Sequence, residues 1–264
     1  MNSKKTSGYI NINSVAIYYE FINHHLLSNN KPVLVFLHEG LGSCAQWKDF
    51  PFMLSEELNI PVFMYDRYGY GKSGIISGHR NLSYLEDEAL DWLPKIFISL
   101  DLDKYKKVLI GHSDGGSIAL IYPSAFPDKV VGIITEAAHV FNEEKAYGSL
   151  LAIVDNFNNG DLKQKLKKYH GENTETMFKS WAEMWLSDNF RQWNIEHYLS
   201  NIKCPVLAIQ GQEDEFATFK QLKSIKEDIN NQCELLFIEN CKHIPHQQAQ
   251  KIVKKEMINF IAGL

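Results

Sequence analysis

The chain has 264 residues, 45% of them hydrophobic and 22% charged, and a formal net charge of −5. That length and apolar content are enough to bury one large core, as a single domain with room for an inserted sub-domain. The acidic balance argues against a nucleic-acid partner, since phosphate binding needs a basic field, and no apolar run reaches the ~18 residues of a membrane span.

The segment from Met1 to Ser7 leads into no apolar stretch and carries no signal-peptide pattern. Cys44, Cys204, Cys233 and Cys241 form no C-x-x-C pair and no zinc spacing, so buried thiols in a reducing, cytoplasmic setting are expected. Residues 9–13 and 15–21 are β-rich runs meeting at Asn13-Ser14 and predict an N-terminal hairpin. Residues 32–37 are continuously apolar, the type of strand buried on both faces of a parallel sheet. They end in the loop His38-Glu39-Gly40-Leu41-Gly42-Ser43.

An amphipathic helix is predicted over 47–58 and a second buried strand over 61–65, followed by Asp66-Arg67-Tyr68-Gly69-Tyr70-Gly71-Lys72-Ser73. Ser83 with Glu86 three residues on spells a capping box. The helix beyond carries Leu85, Leu90, Leu93, Ile96 and Phe97 on one side, with Pro94 as a kink. Strands follow over 106–110 and 130–136, then 205–211 and 234–239, with helices over 220–229 and 248–261. From 139 to 199 the pattern is helical and aromatic, without a strong strand. Strands alternating with helices predict an α/β fold: a mostly parallel wound sheet with an N-terminal antiparallel hairpin and helices on both faces. The core spans 1–138 and 200–264, and 139–199 forms a helical cap inserted late in the sheet.

Strand 106–110 runs into Gly111-His112-Ser113-Asp114-Gly115 and then into a small-residue, helix-compatible stretch. This is the strand–turn–helix context in which G-x-S-x-G marks an exposed nucleophile. A serine on so sharp a turn is strained, and a β-carbon two residues before or after it would crowd the neighbouring backbone. The helix that starts after Ser113 points free N–H groups at the turn, which suits an oxyanion.

Activating such a hydroxyl takes a base to remove its proton and a carboxylate to hold the base's tautomer. On an open α/β sheet these groups belong at the C-terminal ends of strands. Asp214 follows strand 205–211, and His243 follows strand 234–239 on the loop before the last helix. His246 competes for the role of base, and Glu136, at the end of its own strand, for that of acid; Asp103 is a weaker candidate. Glu213 and Glu215 beside Asp214 also fit an exposed acidic turn. Asp66 and Arg67 read as a structural turn with a salt bridge.

Taken together, Gly111-His112-Ser113-Asp114-Gly115, Asp66-Arg67-x-Gly69-x-Gly71-x-Ser73, Gly211-x-x-Asp214 and His243-x-Pro245 resemble the α/β-hydrolase family over nearly the whole chain. The segments from His38 to Ser43 and from Gly111 to Ser117 also resemble a bacterial, esterase-like subgroup. The resemblance implies Ser113 as nucleophile, His243 as general base and then acid, and Asp214 as the orienting carboxylate. It implies an oxyanion hole made by the N–H of Asp114 and a second donor from a loop that usually begins His-Gly. Glu39 stands where that glycine is usual, so the second donor is Gly40 or Leu41, with Gly40 preferred. The side chains of Glu39 and Asp114 are expected to point away from a site that stabilises an anion.

Tyr147, Trp181, Trp185 and Phe190 are candidates to line an acyl or aromatic pocket, as against packing the cap on the body. Lys163, Lys165, Lys167 and Lys168 read as a solvated helix face before they read as a phosphate contact. The expected activity is hydrolysis of a small or medium carboxylic ester or thioester through an acyl-enzyme. The partner is then a small-molecule acyl substrate, with no metal or organic cofactor, no nucleic acid and no membrane, in a monomer or homodimer. Hydrolysis of a carbon–carbon bond in a dienone acid could use the same triad but would want pocket arginines, of which the cap offers only Arg191. An exopeptidase would want cap acids for an α-amine, and Glu143, Glu144, Glu172 and Glu175 are available. A small-molecule-binding protein without catalysis is the alternative from another class.

Overall fold

The computed structural model describes residues 5–229 and 232–264, so the first four residues of the N-terminal reading lie outside it. Among the described residues, eight strands form one sheet in the order β1-β2-β4-β3-β5-β6-β7-β8. β1 (Lys5–Ile12) and β2 (Val15–Ile22) make the antiparallel hairpin. Its two turn residues, Asn13 and Ser14, have φ of 50° and 66°, the left-handed pair whose twist matches that of the strands. β2 also lies antiparallel to β4 (Val62–Tyr65). The other neighbours, β3 (Val33–Leu37), β5 (Lys107–His112), β6 (Val130–Glu136), β7 (Val206–Gly211) and β8 (Cys233–Ile238), pair in parallel.

Because alternate side chains of a strand face opposite ways, β3 feeds two cores. Val33, Val35 and Leu37 join the larger one, and Leu34 and Phe36 the smaller. The smaller core is closed by α1 (Phe50–Leu58) and α11 (Gln250–Ala262), through Phe50, Leu54, Val253 and Met257. The larger is closed by α2 (Tyr84–Asp87), α3 (Leu93–Ser99), α4 (Asp114–Ala125), the insertion between β6 and β7, and α9 (Lys220–Asp228). That insertion holds α5 (Glu144–Asn159), α6 (Leu162–His170), α7 (Thr174–Leu186) and α8 (Glu196–Leu199). α10 (Pro245–Gln248) precedes α11. All four cysteines are buried and free, and no helix of the described residues is long and apolar enough to cross a membrane.

Three local expectations change. The helix expected over 47–58 is a 3₁₀ turn, Cys44–Trp47, and then α1, interrupted at Lys48 with φ 53°. The Ser83–Glu86 capping box does not form, because the Ser83 hydroxyl donates to Asp87 Oδ1 at 3.1 Å and to Asn81 Oδ1 at 3.3 Å. Pro94 sits in the first turn of α3, and the helical path reaches it through a π turn, Glu88–Trp92. The wider turn accommodates the ring where a regular α turn would clash. β4 and β5 flank β3, so the winding reverses there, and a crevice opens at the carboxyl ends of these strands.

Candidate active site

β5 delivers Ser113 to that crevice. The residue has φ 52° and ψ −118°, immediately before α4, a strained conformation for a side-chain-bearing residue. The flanking glycines make it affordable: a Cβ on Gly111 would lie 2.0 Å from Gly115 O, and one on Gly115 would lie 2.0 Å from Leu37 O. The Ser113 N–H is tied to Glu136 O at 2.8 Å, which anchors the turn to β6.

Asp214, past the end of β7, and His243, past the end of β8, meet with His243 Nδ1 2.9 Å from Asp214 Oδ1. The carboxylate accepts, so Nδ1 carries the ring proton and Nε2 keeps its lone pair. Asp214 is fully buried; Oδ1 also accepts the Phe216 N–H at 2.9 Å, and Oδ2 accepts from Gln210 Nε2 at 3.4 Å. Burial works against charge on both partners, but their mutual attraction and hydrogen bond outweigh it. The Asp214 pKa falls to about 2, helped by the Phe216 N–H. That of His243 rises above its ordinary 6.5, helped by the charges of Glu39 and Glu215.

Ser113 and His243 line one cavity of about 430 Å³. They share no hydrogen bond within 3.5 Å among the described residues, and contacts of this kind commonly tighten only around a substrate. Gly40, Leu41 and Asp114 line the same cavity. Their backbone N–H groups donate to no protein acceptor among the described residues. The roof comes from the insertion: α5 presents Ala146, Ser149, Leu150 and Ile153, and α7 presents Trp181 and Trp185. Trp181 rests on Gly40 so closely that a Cβ there would lie 2.2 Å from its Nε1. α5 is also tied to the loop that carries Asp214. Lys145 Nζ donates to the carbonyls of Asp214 and Ala217, and Ser149 Oγ to that of Glu215 at 2.7 Å.

The other sequence candidates separate clearly. Trp181 and Trp185 line the cavity, whereas Tyr147 and Phe190 do not. Tyr147 lies under the Arg191 guanidinium at 4.4 Å, beside a smaller pocket. Phe190 is buried between Trp185 and Trp193, with ring centroids 5.0 and 5.2 Å away. His246 pairs with Glu136 instead, Nδ1 to Oε2 at 3.0 Å, outside the cavity lining. The Asp114 carboxylate turns away, to Arg67 and Tyr84. Glu39 stays on the cavity wall, with Oε2 3.7 Å from His112 Nδ1. Asp66 serves the turn, Oδ1 accepting the Cys44 N–H at 2.7 Å and Oδ2 the Lys72 N–H at 2.8 Å. On α6, Lys165, Lys167 and Lys168 are exposed, and Lys163 and Lys165 pair with Glu175 and Asp161.

His139 was not singled out by sequence reasoning. It follows β6, lines the cavity at 2% exposure, and lies 6.0 Å from the His243 ring, with its buried Nδ1 unpartnered. Burial and the neighbouring His243 lower its pKa to about 4, so it is neutral near pH 7. Its position just past a strand end is the sequence signal that could have found it.

A wound sheet with a strained serine and a histidine–carboxylate pair at one crevice defines the class. The alpha/beta hydrolase family model matches residues 34–255, and the chain belongs to that family. It is similar to the proline iminopeptidase of Lactobacillus crispatus, with 24% identity over 266 residues, covering 86% of this chain and 88% of that protein. It is also similar to the pimeloyl-[acyl-carrier protein] methyl ester esterase of Wigglesworthia glossinidia brevipalpis, 28% identical over 244 residues, covering 80% and 86%. Among solved structures, a carboxylesterase of Nitrososphaera gargenis superposes with a TM-score of 0.77 at 20% identity, over 97% of this chain and 98% of that one, a likeness of fold.

Proposed function

We propose that this protein hydrolyses a small or medium carboxylic ester or thioester through an acyl-enzyme. The observation that carries the reading is the His243–Asp214 bond of 2.9 Å on the wall of the cavity that Ser113 also lines. Ser113 Oγ attacks the acyl carbon as His243 Nε2 takes its proton, and the carbonyl oxygen becomes an oxyanion held by the N–H groups of Asp114 and Gly40. Collapse of the adduct expels the alcohol or thiol, which receives that proton from His243. Water then attacks the acyl-enzyme with His243 again as base, releasing the acid and restoring the Ser113 hydroxyl. A single oxyanion donor is worth ~2.7–4 kcal/mol in the transition state. Ser113→Ala is expected to lower turnover of p-nitrophenyl butyrate by more than about 10³-fold and to abolish labelling by a fluorophosphonate. Turnover that survives the change refutes the reading, and a small-molecule binder whose serine never labels would belong to the non-catalytic class.

A specific observation favours a second reading, cleavage next to a protonated amine. Glu39 and Glu215 line the cavity, Glu215 Oε2 is buried without a partner, and no lysine or arginine among the described residues is in the lining. Such a wall suits an amino-acyl substrate, as the name of the iminopeptidase relative would suggest. It disfavours a dienone acid, whose carboxylate would meet no counter-charge. Turnover of prolyl p-nitroanilide exceeding that of p-nitrophenyl butyrate would select the amine reading over the plain ester.

A further inference from the structure

Arg67 is one of the largest fully buried side chains, at 1% exposure, and the reaction outlined above leaves it without a role. The guanidinium lies over the Tyr70 ring at 4.5 Å, and its side-chain hydrogen bonds go to the two segments proposed to supply the oxyanion donors. Nη2 donates to the Glu39 carbonyl at 2.7 Å, and Nη1 and Nη2 each lie 3.3 Å from Asp114 Oδ2. The Arg67 N–H donates to His38 Nε2 at 3.1 Å. The His38 proton is therefore on Nδ1, which donates to the same Glu39 carbonyl at 2.8 Å. Burial, and then the Arg67 charge, hold His38 well below its ordinary pKa and keep it neutral. The Gly42 N–H is a third donor to that oxygen, at 3.1 Å.

A trans peptide is planar, with C=O and N–H pointing in opposite directions. Fixing the Glu39 carbonyl therefore fixes the direction of the Gly40 N–H, which belongs to the same peptide. On the other side, the Asp114 carboxylate is gripped by Arg67 and by Tyr84 Oη at 3.0 Å, and Tyr84 in turn accepts from Trp185 Nε1 at 2.9 Å. We propose that Arg67 is a positioning residue for both oxyanion donors, one guanidinium setting the Gly40 N–H through the Glu39 carbonyl and the Asp114 N–H through the Asp114 side chain. It also neutralises a carboxylate that would otherwise stand beside the developing negative charge. A lysine would not replace it, because its shorter stem ends in a point charge without the fixed fork whose two Nη atoms both meet Asp114 Oδ2 while one of them also meets the Glu39 carbonyl.

The inference rests on the ester reading, and the two can fail separately. Arg67→Lys is compared with wild type on p-nitrophenyl butyrate and with an alkylboronic acid, which mimics the tetrahedral adduct. The expected result is a fall in kcat of about 30-fold, with a matching weakening of the boronate Ki and KM nearly constant, as for a misplaced oxyanion donor. Losses of less than about tenfold in kcat and Ki, whatever happens to Tm, would overturn the proposal. Should Arg67→Lys fail to fold, Asp114→Asn is compared with the double variant Asp114→Asn/Arg67→Met, which removes the Asp114 carboxylate together with the guanidinium that pairs with it. A double variant about tenfold or more below the single in kcat supports the proposal, and a smaller difference overturns it. Wild-type protein in which Ser113 resists the fluorophosphonate defeats the ester reading itself, before any Arg67 variant is made.

Discussion

Two histidine–carboxylate pairs stand three residues apart at the carboxyl end of the sheet. His243 reaches Asp214 at 2.9 Å and His246 reaches Glu136 at 3.0 Å, each through Nδ1. Beyond His243 lies the cavity that Ser113 shares. Beyond His246 lie Trp47 and Phe50, with ring centroids at 4.6 and 5.6 Å, and its own backbone N–H donates to the same Glu136 oxygen at 2.8 Å. The carboxylate bond is therefore no mark of chemistry by itself. What differs is the surroundings: His246 Nε2 meets Gln247 Nε2 at 3.5 Å, whereas His243 lines the cavity with Ser113.

The sharpest way to break the comparison is to change each histidine in turn. His243→Gln is expected to cut kcat by more than about 10⁴-fold. His246→Gln should leave kcat within about threefold and cost about 1–3 kcal/mol of stability, read by urea unfolding, because Glu136 loses a buried partner. If the two variants were equally inactive, the His246–Glu136 pair would have a part in the reaction. A smaller effect is expected at the roof: Gly40→Ala drives a Cβ into Trp181 Nε1 at 2.2 Å and should lower kcat/KM by about tenfold. The gentlest test is pH. The His243 pKa is raised, and the base proposed for it works only when neutral, so kcat/KM should climb with rising pH through a midpoint above 6.5. Glu39 contributes to that rise, so Glu39→Gln should move the midpoint downward; an upward move would contradict the assignment of the acid limb to His243.

Much of this arrangement is legible in the chain because it follows from local sterics. The glycines around Ser113 are dictated by backbone atoms 2.0 Å from any added Cβ, and the apolar runs of β3 and β7 by burial on both faces. What was not legible depends on contacts distant in sequence. Aromatic residues in the insertion are recognisable, but which of them face inward depends on how α5 and α7 settle over the crevice. So Trp181 and Trp185 line the cavity, while Phe190 packs behind Trp185. His139 is one histidine among ten until that roof buries it. Asp114 turns from the cavity because Arg67, 47 residues earlier, meets it; Glu39 has only His112 Nδ1, at 3.7 Å, as an ionic neighbour among the described residues. Ser83 illustrates a purely local failure, since Asp87 one turn on takes the hydroxyl meant for the cap.

The bonds from Lys145 and Ser149 to the carbonyls of Asp214, Glu215 and Ala217 bear on how specificity could be re-engineered. The roof is not a detachable module: transplanting α5 from a relative would leave three carbonyl acceptors without their donors in the segment that carries Asp214. Any graft meant to alter substrate choice would have to bring along an ammonium and a hydroxyl at those two places, or it would change rate and selectivity together.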